Sequence, residues 1–417
     1  MIEIEPKKIE TATVRIPGSK SYTHRVLIAA ALSDGICKLH NALRSEDTLL
    51  TAGALRQLGI HIEHRDDLFI VTGSRGVLKE CKDPIYLGNS GTSMRFLTAV
   101  TVLGKGRYFL SGNQRMQQRP IQDLVEGLNQ IGVSVRTVNQ NGCPPVEIKS
   151  RRVDGGSVTL NCEKSSQFLS ALLLIAPYTK KGLEITVTRG PVSRPYIDMT
   201  LEVMEKLGVT VYRDGYTYFK IPGSRVYKAG TYTIEADCSQ AGYFWAAAAI
   251  TGAGVTVQGI TRDSKQGDLG LLKLLEAMGC RVSFRSDGIC VQGGRLSGID
   301  ADMGDMPDMV PTLAVVAAFA EGTTRIRNVA HLRIKESDRL GAVAAELSKM
   351  GIAANITDTG ICVRGGTPGP AVIDTYGDHR IAMSFAIAGL AVPGVFINDE
   401  ECVEKSFPRF WDVLESL

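Results

Sequence analysis

The sequence is poor in several things at once. Its 417 residues include two tryptophans, and aromatics make up 6%. Those aromatics do not interleave with basic runs, which argues against a stacking platform for single-stranded nucleic acid. Charge of one sign is missing too: 47 Lys and Arg against 44 Asp and Glu leave +3. That balance excludes a protein that coats nucleic acid or clings to a membrane through a polybasic face. Long apolar runs are absent, because the uncharged stretches 239–261 and 381–398 are broken by Gly or Pro and read as buried helix–turn–strand. The opening MIEIEPKKIE is charged and alternating, unlike a signal peptide. Nine cysteines with no CxxC pair fit free thiols in a reducing cytoplasm, not a disulfide framework or zinc site. His61 and His64 have no third ligand nearby in sequence and read as surface residues. No GxGxxG follows a strand, and Gly18-Ser19-Lys20-Ser21 lacks the GxxxxGK order of a P-loop.

Glycine, by contrast, is abundant: 44 of 417 residues, above the usual ~7%. Much of it marks a repeat. An apolar helix end, Gly and an alternating strand recur as LRQLGIHIE, LNQIGVSVR, MEKLGVTVY, LEAMGCRVS and LSKMGIAAN, with Gly59, Gly132, Gly208, Gly279 and Gly351 spaced by 73, 76, 71 and 72. The glycine suits a helix C′ position, where a left-handed backbone is needed. A second phrase, a small-apolar helix ending in Gly and followed by a β-like segment, occurs six times, from HRVLIAAALSDG to AMSFAIAGLAVPG. The unit is about 72 residues of α/β structure, and six are present. The sixth stops at FPRFWDVLESL without its closing strands, while IEIEP and ETATVRIP at the N-terminus are strands with no unit of their own. The N-terminus is therefore expected to complete the sixth unit. This gives two similar domains of three units each, residues 20–234 and residues 1–19 plus 235–417, joined by two chain crossings that form a hinge.

The polar residues gather where the small-apolar helices begin: PGSKSYTHR, LGNSGTSMR, CEKSSQ, EADCSQ, DMPDM and TYGDHR. Capping explains the Ser, Asn and Asp residues. It does not explain Lys20, Arg25 or Arg380, since cations sit badly at the positive end of a helix dipole unless an anion lies between. Arg115 and Arg119 in QRMQQRPIQDL, the cluster Arg333, Lys335, Glu336, Asp338 and Arg339, and Lys405 in CVEKSFPRF also fall at element ends. Each alone reads as a surface charge. Together they point to a polyanionic small molecule.

In chain order, PGSKSYTHR, LGNSGTSMR, MQQRPIQDL, SSQFLSALL, SRPYIDMT, DMPDM, RIKESDRL, GDHRIAM and EKSFPRF, spanning residues 17 to 410, resemble the EPSP synthase (3-phosphoshikimate 1-carboxyvinyltransferase) family. The resemblance implies an inside-out α/β barrel in each domain, a double-crossover hinge, and a step of chorismate and aromatic amino-acid biosynthesis. In that step the carboxyvinyl group of phosphoenolpyruvate passes to the 5-hydroxyl of shikimate 3-phosphate through a tetrahedral ketal, releasing phosphate. It further implies that Lys20, Ser21, Arg25, Ser165, Ser166, Gln167, Ser193, Tyr196, Asp308 and Lys335 face shikimate 3-phosphate, mainly in the N-terminal domain. Lys20, Asn89, Gly91, Arg119, Gln167, Arg339, Arg380 and Lys405 face phosphoenolpyruvate. Asp308 resembles the base and Glu336 the proton donor, with Lys20 beside the reacting centre. On the residues alone, Asp308 reads equally as a helix cap and Glu336 as half of a helix-face ion pair. Where some relatives carry Asn ahead of RIKESDRL this chain has His331, which is left outside the expected site. Gly91 keeps the small residue of relatives sensitive to glyphosate. No metal, organic cofactor, nucleic acid or membrane partner is implied, and a cytoplasmic monomer is expected. Two alternatives stand beside this reading. The UDP-N-acetylglucosamine enolpyruvyl transferases carry Lys-Asn where this chain has Lys20-Ser21, and a Cys in the loop near Arg115–Arg119. A non-catalytic anion-binding repeat protein leaves Asp308 and Glu336 unexplained.

Overall fold

In the computed structural model, which describes residues 1–151 and 153–417, the repeated glycines take the backbone their position demands. φ is 91° at Gly59, 84° at Gly132, 86° at Gly208, 114° at Gly279 and 78° at Gly351, the left-handed region that a side chain resists. Each lies just past the end of the helix that precedes the alternating strand of its repeat. The described α-helices are α1 (Lys20–Leu32), α2 (Glu46–Gln57), α3 (Gly91–Thr101), α4 (Gln122–Gln130), α5 (Gln167–Ile175), α6 (Pro195–Lys206), α7 (Cys238–Thr251), α8 (Leu271–Met278), α9 (Val310–Ala318), α10 (Arg339–Lys349), α11 (His379–Gly389) and α12 (Phe410–Glu415). The odd-numbered helices are the small-apolar phrases. All of α9 and α11 is buried, and all but two residues of α1. Ala, Gly and Ser let such helices approach one another closely, as α3 does α5 and α9 does α11. Helices α4, α6, α8 and α10 are amphipathic, as at α4, where Leu124, Val125 and Leu128 face inward.

The chain divides into two units, Gly18–Glu235 and Met1–Pro17 with Ala236–Leu417, each around its own hydrophobic core. Each repeat contributes one small sheet. In the first, Thr231–Thr233 runs parallel to Ile36–His40, which pairs antiparallel with Leu68–Thr72 and then His61–Arg65. Four more sheets follow this order, and the sixth has three strands.

The N-terminal strands part company. Ile2–Ile4 lies antiparallel to Val395–Ile397 in the sixth repeat, but Thr11–Arg15 lies parallel to Gly254–Gln258 in the fourth. The expectation that the N-terminus serves the sixth repeat is thus corrected for this second strand. The cause is the chain crossing: Asp237 donates its N–H to the Pro17 carbonyl at 3.1 Å. A strand leaving that point meets the sheet of the repeat that begins there. Among the described residues no helix is long and apolar enough to cross a membrane.

Candidate active site

In the unit Gly18–Glu235, helix starts hold Lys20 and Gln167, and Arg119 follows the 3-10 turn Met116–Gln118. Lys20 opens α1 behind the N-cap Ser19, whose Oγ accepts from the Tyr22 N–H at 3.4 Å. The Lys20 Nζ donates to Asp47 Oδ2 at 3.1 Å, and Asp47 is buried in the first turn of α2. That carboxylate answers the conflict between a cation and a helix start. A chain of hydroxyls, Ser90 to Ser93 at 2.6 Å and Ser93 to Thr51 at 2.7 Å, ties the start of α3 to α2. Arg119 is buried and donates through Nη1 to the Asn89 carbonyl at 2.8 Å and to Asn89 Oδ1 at 3.2 Å. Its guanidinium lies over Gly91, the first residue of α3. Gln167, first in α5, is oriented at both amide atoms: Arg95 Nη1 donates to its Oε1 at 2.6 Å, and its Nε2 donates to Thr92 Oγ1 at 3.0 Å.

Arg25 is 1% exposed. Its Nε donates to Thr200 Oγ1 at 2.8 Å, Nη1 to the Ser21 carbonyl at 2.8 Å and Nη2 to the Tyr196 carbonyl at 2.9 Å. Burial lowers its pKa to about 10, so it stays charged at neutral pH, tying α1 to α6 and holding Ser21 and Tyr196 in place. Ser165 Oγ accepts from the Gln167 N–H at 3.2 Å, whereas Ser166, at the N-cap of α5, makes no side-chain cap bond. Ser193 has φ of 55° and a buried Oγ with no hydrogen-bond partner. Strained backbone and an unmatched buried hydroxyl together mark a group built to meet something polar.

In the other unit the centre is Arg339, 1% exposed. Nη1 donates to Asp308 Oδ1 at 2.8 Å, Nη2 to Glu336 Oε2 at 2.7 Å and Nε to Asp378 Oδ2 at 2.8 Å. Three carboxylates therefore share one guanidinium. Arg380, second residue of α11, donates through Nη2 to the other oxygen of Asp308 at 2.7 Å. Burial alone would raise the Asp308 pKa, but Arg380, Arg339 and Lys335 outweigh it and hold the carboxyl well below the usual range. The cap alternative fails for Asp308. It lies in the 3-10 turn Pro307–Met309, the N-cap of α9 is Met309, and no side chain caps that helix. The ion-pair alternative for Glu336 describes a real contact, to Arg339 three residues on. Lys335 is half-buried, and Lys405 is buried at the end of the 3-10 segment Glu400–Lys405.

Three acids missed by the sequence reading belong to these networks. Asp47 partners Lys20. Asp378 caps α11 and holds Arg339. Asp268 accepts from the Ser239 hydroxyl, and burial, then the charge of Asp308, pushes it up to about 7. Only Asp378 carried a signal, its place at a helix start. His331, set aside earlier, has a buried Nε2 with no hydrogen-bond partner. Burial and the charge of Lys335 push its pKa down to about 3, so the imidazole is neutral. Each unit thus offers helix N-termini and buried cations suited to anions, and the second adds two reachable carboxyl groups on one arginine.

Comparison with known proteins agrees with this chemistry. The family model for EPSP synthase (3-phosphoshikimate 1-carboxyvinyltransferase) matches residues 4–414. A protein of Syntrophobacter fumaroxidans named 3-phosphoshikimate 1-carboxyvinyltransferase is 45% identical over 99% of this chain and 99% of its own. One of the same name from Methanoculleus marisnigri is 43% identical over 95% and 94%. Among solved structures, EPSP synthase from Acinetobacter baumannii superposes with a TM-score of 0.83 at 29% identity, covering 99% of this chain and 97% of that one. The enolpyruvyl transferase NikO from Streptomyces tendae reaches 0.77 at 21% identity over 100% and 96%, a likeness of fold alone.

Proposed function

Because the chain belongs to the EPSP synthase (3-phosphoshikimate 1-carboxyvinyltransferase) family, we propose that its anion-binding helix starts and the Arg339 cluster carry that family's reaction. Phosphoenolpyruvate gives its carboxyvinyl group to the 5-hydroxyl of shikimate 3-phosphate, and phosphate leaves. The observation that supports this most is the sharing of Arg339 by Asp308 and Glu336, with Arg380 on the second oxygen of Asp308.

The residues assigned to the phosphate and carboxylate of phosphoenolpyruvate are Lys20, Asn89, Arg119, Gln167, Arg339, Arg380 and Lys405. Gly91 leaves room for the Arg119 guanidinium. Lys20, Ser21, Arg25, Ser165, Ser166, Gln167, Ser193 and Tyr196, with Asp308 and Lys335, hold the phosphorylated sugar acid. The unmatched Ser193 hydroxyl supports the second set. Asp308 removes the 5-hydroxyl proton as the oxygen bonds to C2 of phosphoenolpyruvate, while Glu336 protonates the methylene carbon. As the C2–O bond to phosphate breaks, the resulting ketal gives a methyl proton to Glu336, restoring the carbon–carbon double bond and releasing phosphate. A carboxylate clamped by two arginines is a weak base. Phosphoenolpyruvate competes for those arginines, so its arrival raises the basicity of Asp308 when a base is required. The nine free thiols support the cytoplasm.

The test is turnover. Phosphate release from phosphoenolpyruvate should require shikimate 3-phosphate and fail with UDP-N-acetylglucosamine. Release with the latter, or tight binding of both substrates without release, would overturn the reading.

A further inference from the structure

Tyr376 is an odd residue for its place. It stands at φ 56°, followed by Gly377 at 63°, in the loop that delivers Asp378 and Arg380 to the start of α11. An aromatic residue in the left-handed region is strained, and Gly or Asn would be cheaper there. Burial of the ring does not compensate, because Tyr376 is 49% exposed. Its hydroxyl, though, donates to Glu346 Oε1 at 2.7 Å. Glu346 is itself unusual: a carboxylate fully buried in the middle of α10, costly unless its charge is answered. Its other oxygen accepts from the Asp374 N–H at 3.0 Å and meets Lys349 Nζ at 2.7 Å. Each residue accounts for the other.

The geometry extends to the cations. Arg339 and Glu346 lie seven residues apart, two turns along one face of α10. Arg339 grips Asp378 at one end of the loop, and Glu346 grips Tyr376 and Asp374 at the other. Between them, Asp374 Oδ1 accepts from Asn398 Nδ2 at 2.9 Å and Thr375 Oγ1 donates to Asp399 Oδ2 at 3.4 Å, next to the segment that ends in Lys405. Four of the five residues 374–378 are therefore fastened by side chains, and the segment joins α10, α11 and the turn before Lys405.

We infer that Tyr376 and Glu346 are positioning residues for phosphoenolpyruvate, their clasp setting the loop 374–378 against α10 and so the spacing of the Arg339 and Arg380 guanidinium groups. This rests on the reading above that those arginines bind the donor. Neither residue is among those assigned above to either substrate. A small misplacement of a binding pair weakens both of its bonds to a rigid anion at once.

The experiment uses the full-length enzyme and three substitutions. Tyr376→Phe keeps the ring and removes only the hydroxyl. Its KM for phosphoenolpyruvate should rise about five- to tenfold, with kcat reduced less than about twofold. Calorimetric affinity for shikimate 3-phosphate alone should stay as in the parent. Glu346→Gln keeps an acceptor for the hydroxyl and should show a smaller rise, and adding Tyr376→Phe to it should cost less than in the parent. Arg380→Lys is the control. If it leaves the donor KM unchanged, the assignment of the arginines fails and this inference with it. If Arg380→Lys raises the donor KM while Tyr376→Phe lowers only thermal stability, the clasp is merely structural and the inference alone is overturned. Equal weakening of both substrates by Tyr376→Phe would overturn it as well.

Discussion

A β-carbon placed on Gly91 would stand 2.5 Å from Arg119 Nη2 and 2.8 Å from its Cζ. The three nearest atoms to that carbon all belong to the Arg119 guanidinium, at the end of a flexible side chain. An added methyl is therefore accommodated by moving the cation, not the backbone.

Gly91→Ala should accordingly fold normally and bind phosphoenolpyruvate more weakly. A charge-assisted hydrogen bond is worth about 1.5–3 kcal/mol, so full loss of one means roughly 10–150-fold in affinity. Partial displacement should give a rise in donor KM of up to about the lower figure, with shikimate 3-phosphate binding little changed. In an Arg119→Ala background the same methyl should add nothing further. Additive losses in that cycle would show that the methyl acts on something other than Arg119.

Asp308→Asn keeps the volume and one acceptor for Arg339 or Arg380, and removes the base. The chemical step should fall by about 10²–10⁴, while calorimetric binding of shikimate 3-phosphate persists. Rapid-quench single-turnover measurements isolate that step. Near-parental turnover would leave Asp308 only its role as a counter-charge to the two arginines.

The repeat was legible because it is written twice: five glycines hold one period, and six small-apolar phrases hold the same one. The cations at helix starts were legible because they break the dipole rule, and Lys20 and Arg380 stand in the predicted places. What the sequence hid depends on contacts remote in the chain. Asp268 follows Gln266-Gly267 as an ordinary loop acid, and nothing local reveals that the charge of Asp308 bears on it. The partners of Arg25 were hidden in the same way, since its bonds to Thr200 and the Tyr196 carbonyl span more than 170 residues. The destination of Thr11–Arg15 was hidden for the same reason, since it is set by a crossing more than two hundred residues downstream.

That crossing makes a separable stability prediction. The Ile4 side chain sits so closely on Gly389 that a β-carbon there would lie 2.4 Å from the Ile4 Cβ. Deleting residues 1–16 removes this contact and both N-terminal strands, exposing edges at Val395–Ile397 and Gly254–Gln258. Amide hydrogen exchange should accelerate in those two segments and leave Ile36–His40 protected. Acceleration confined to residues 18–235 would reject the strand assignment.

Asp268 gives a pH dependence of definite sign. Its native pKa is near 7 against an ordinary 3.8, raised by burial and then by the charge of Asp308. Between those values the native protein holds a proton that the unfolded chain has released. Stability from this group is thus complete below about pH 4 and is lost as pH rises through 7. Three pH units of difference correspond to at most roughly 4 kcal/mol. Asp308, lowered instead of raised, acts in the opposite sense: its contribution is present above about pH 4 and is lost only below that. The two windows do not overlap. Asp268→Asn keeps an acceptor for the Ser239 hydroxyl and abolishes the titration. Denaturant unfolding of parent and variant at pH 4, 5.5 and 7.5 should show the parent losing ground steadily as pH rises. Parallel stability curves across that range would mean that Asp268 ionises normally, and that the charge of Asp308 is neutralised by Arg339 and Arg380 before it reaches this carboxyl.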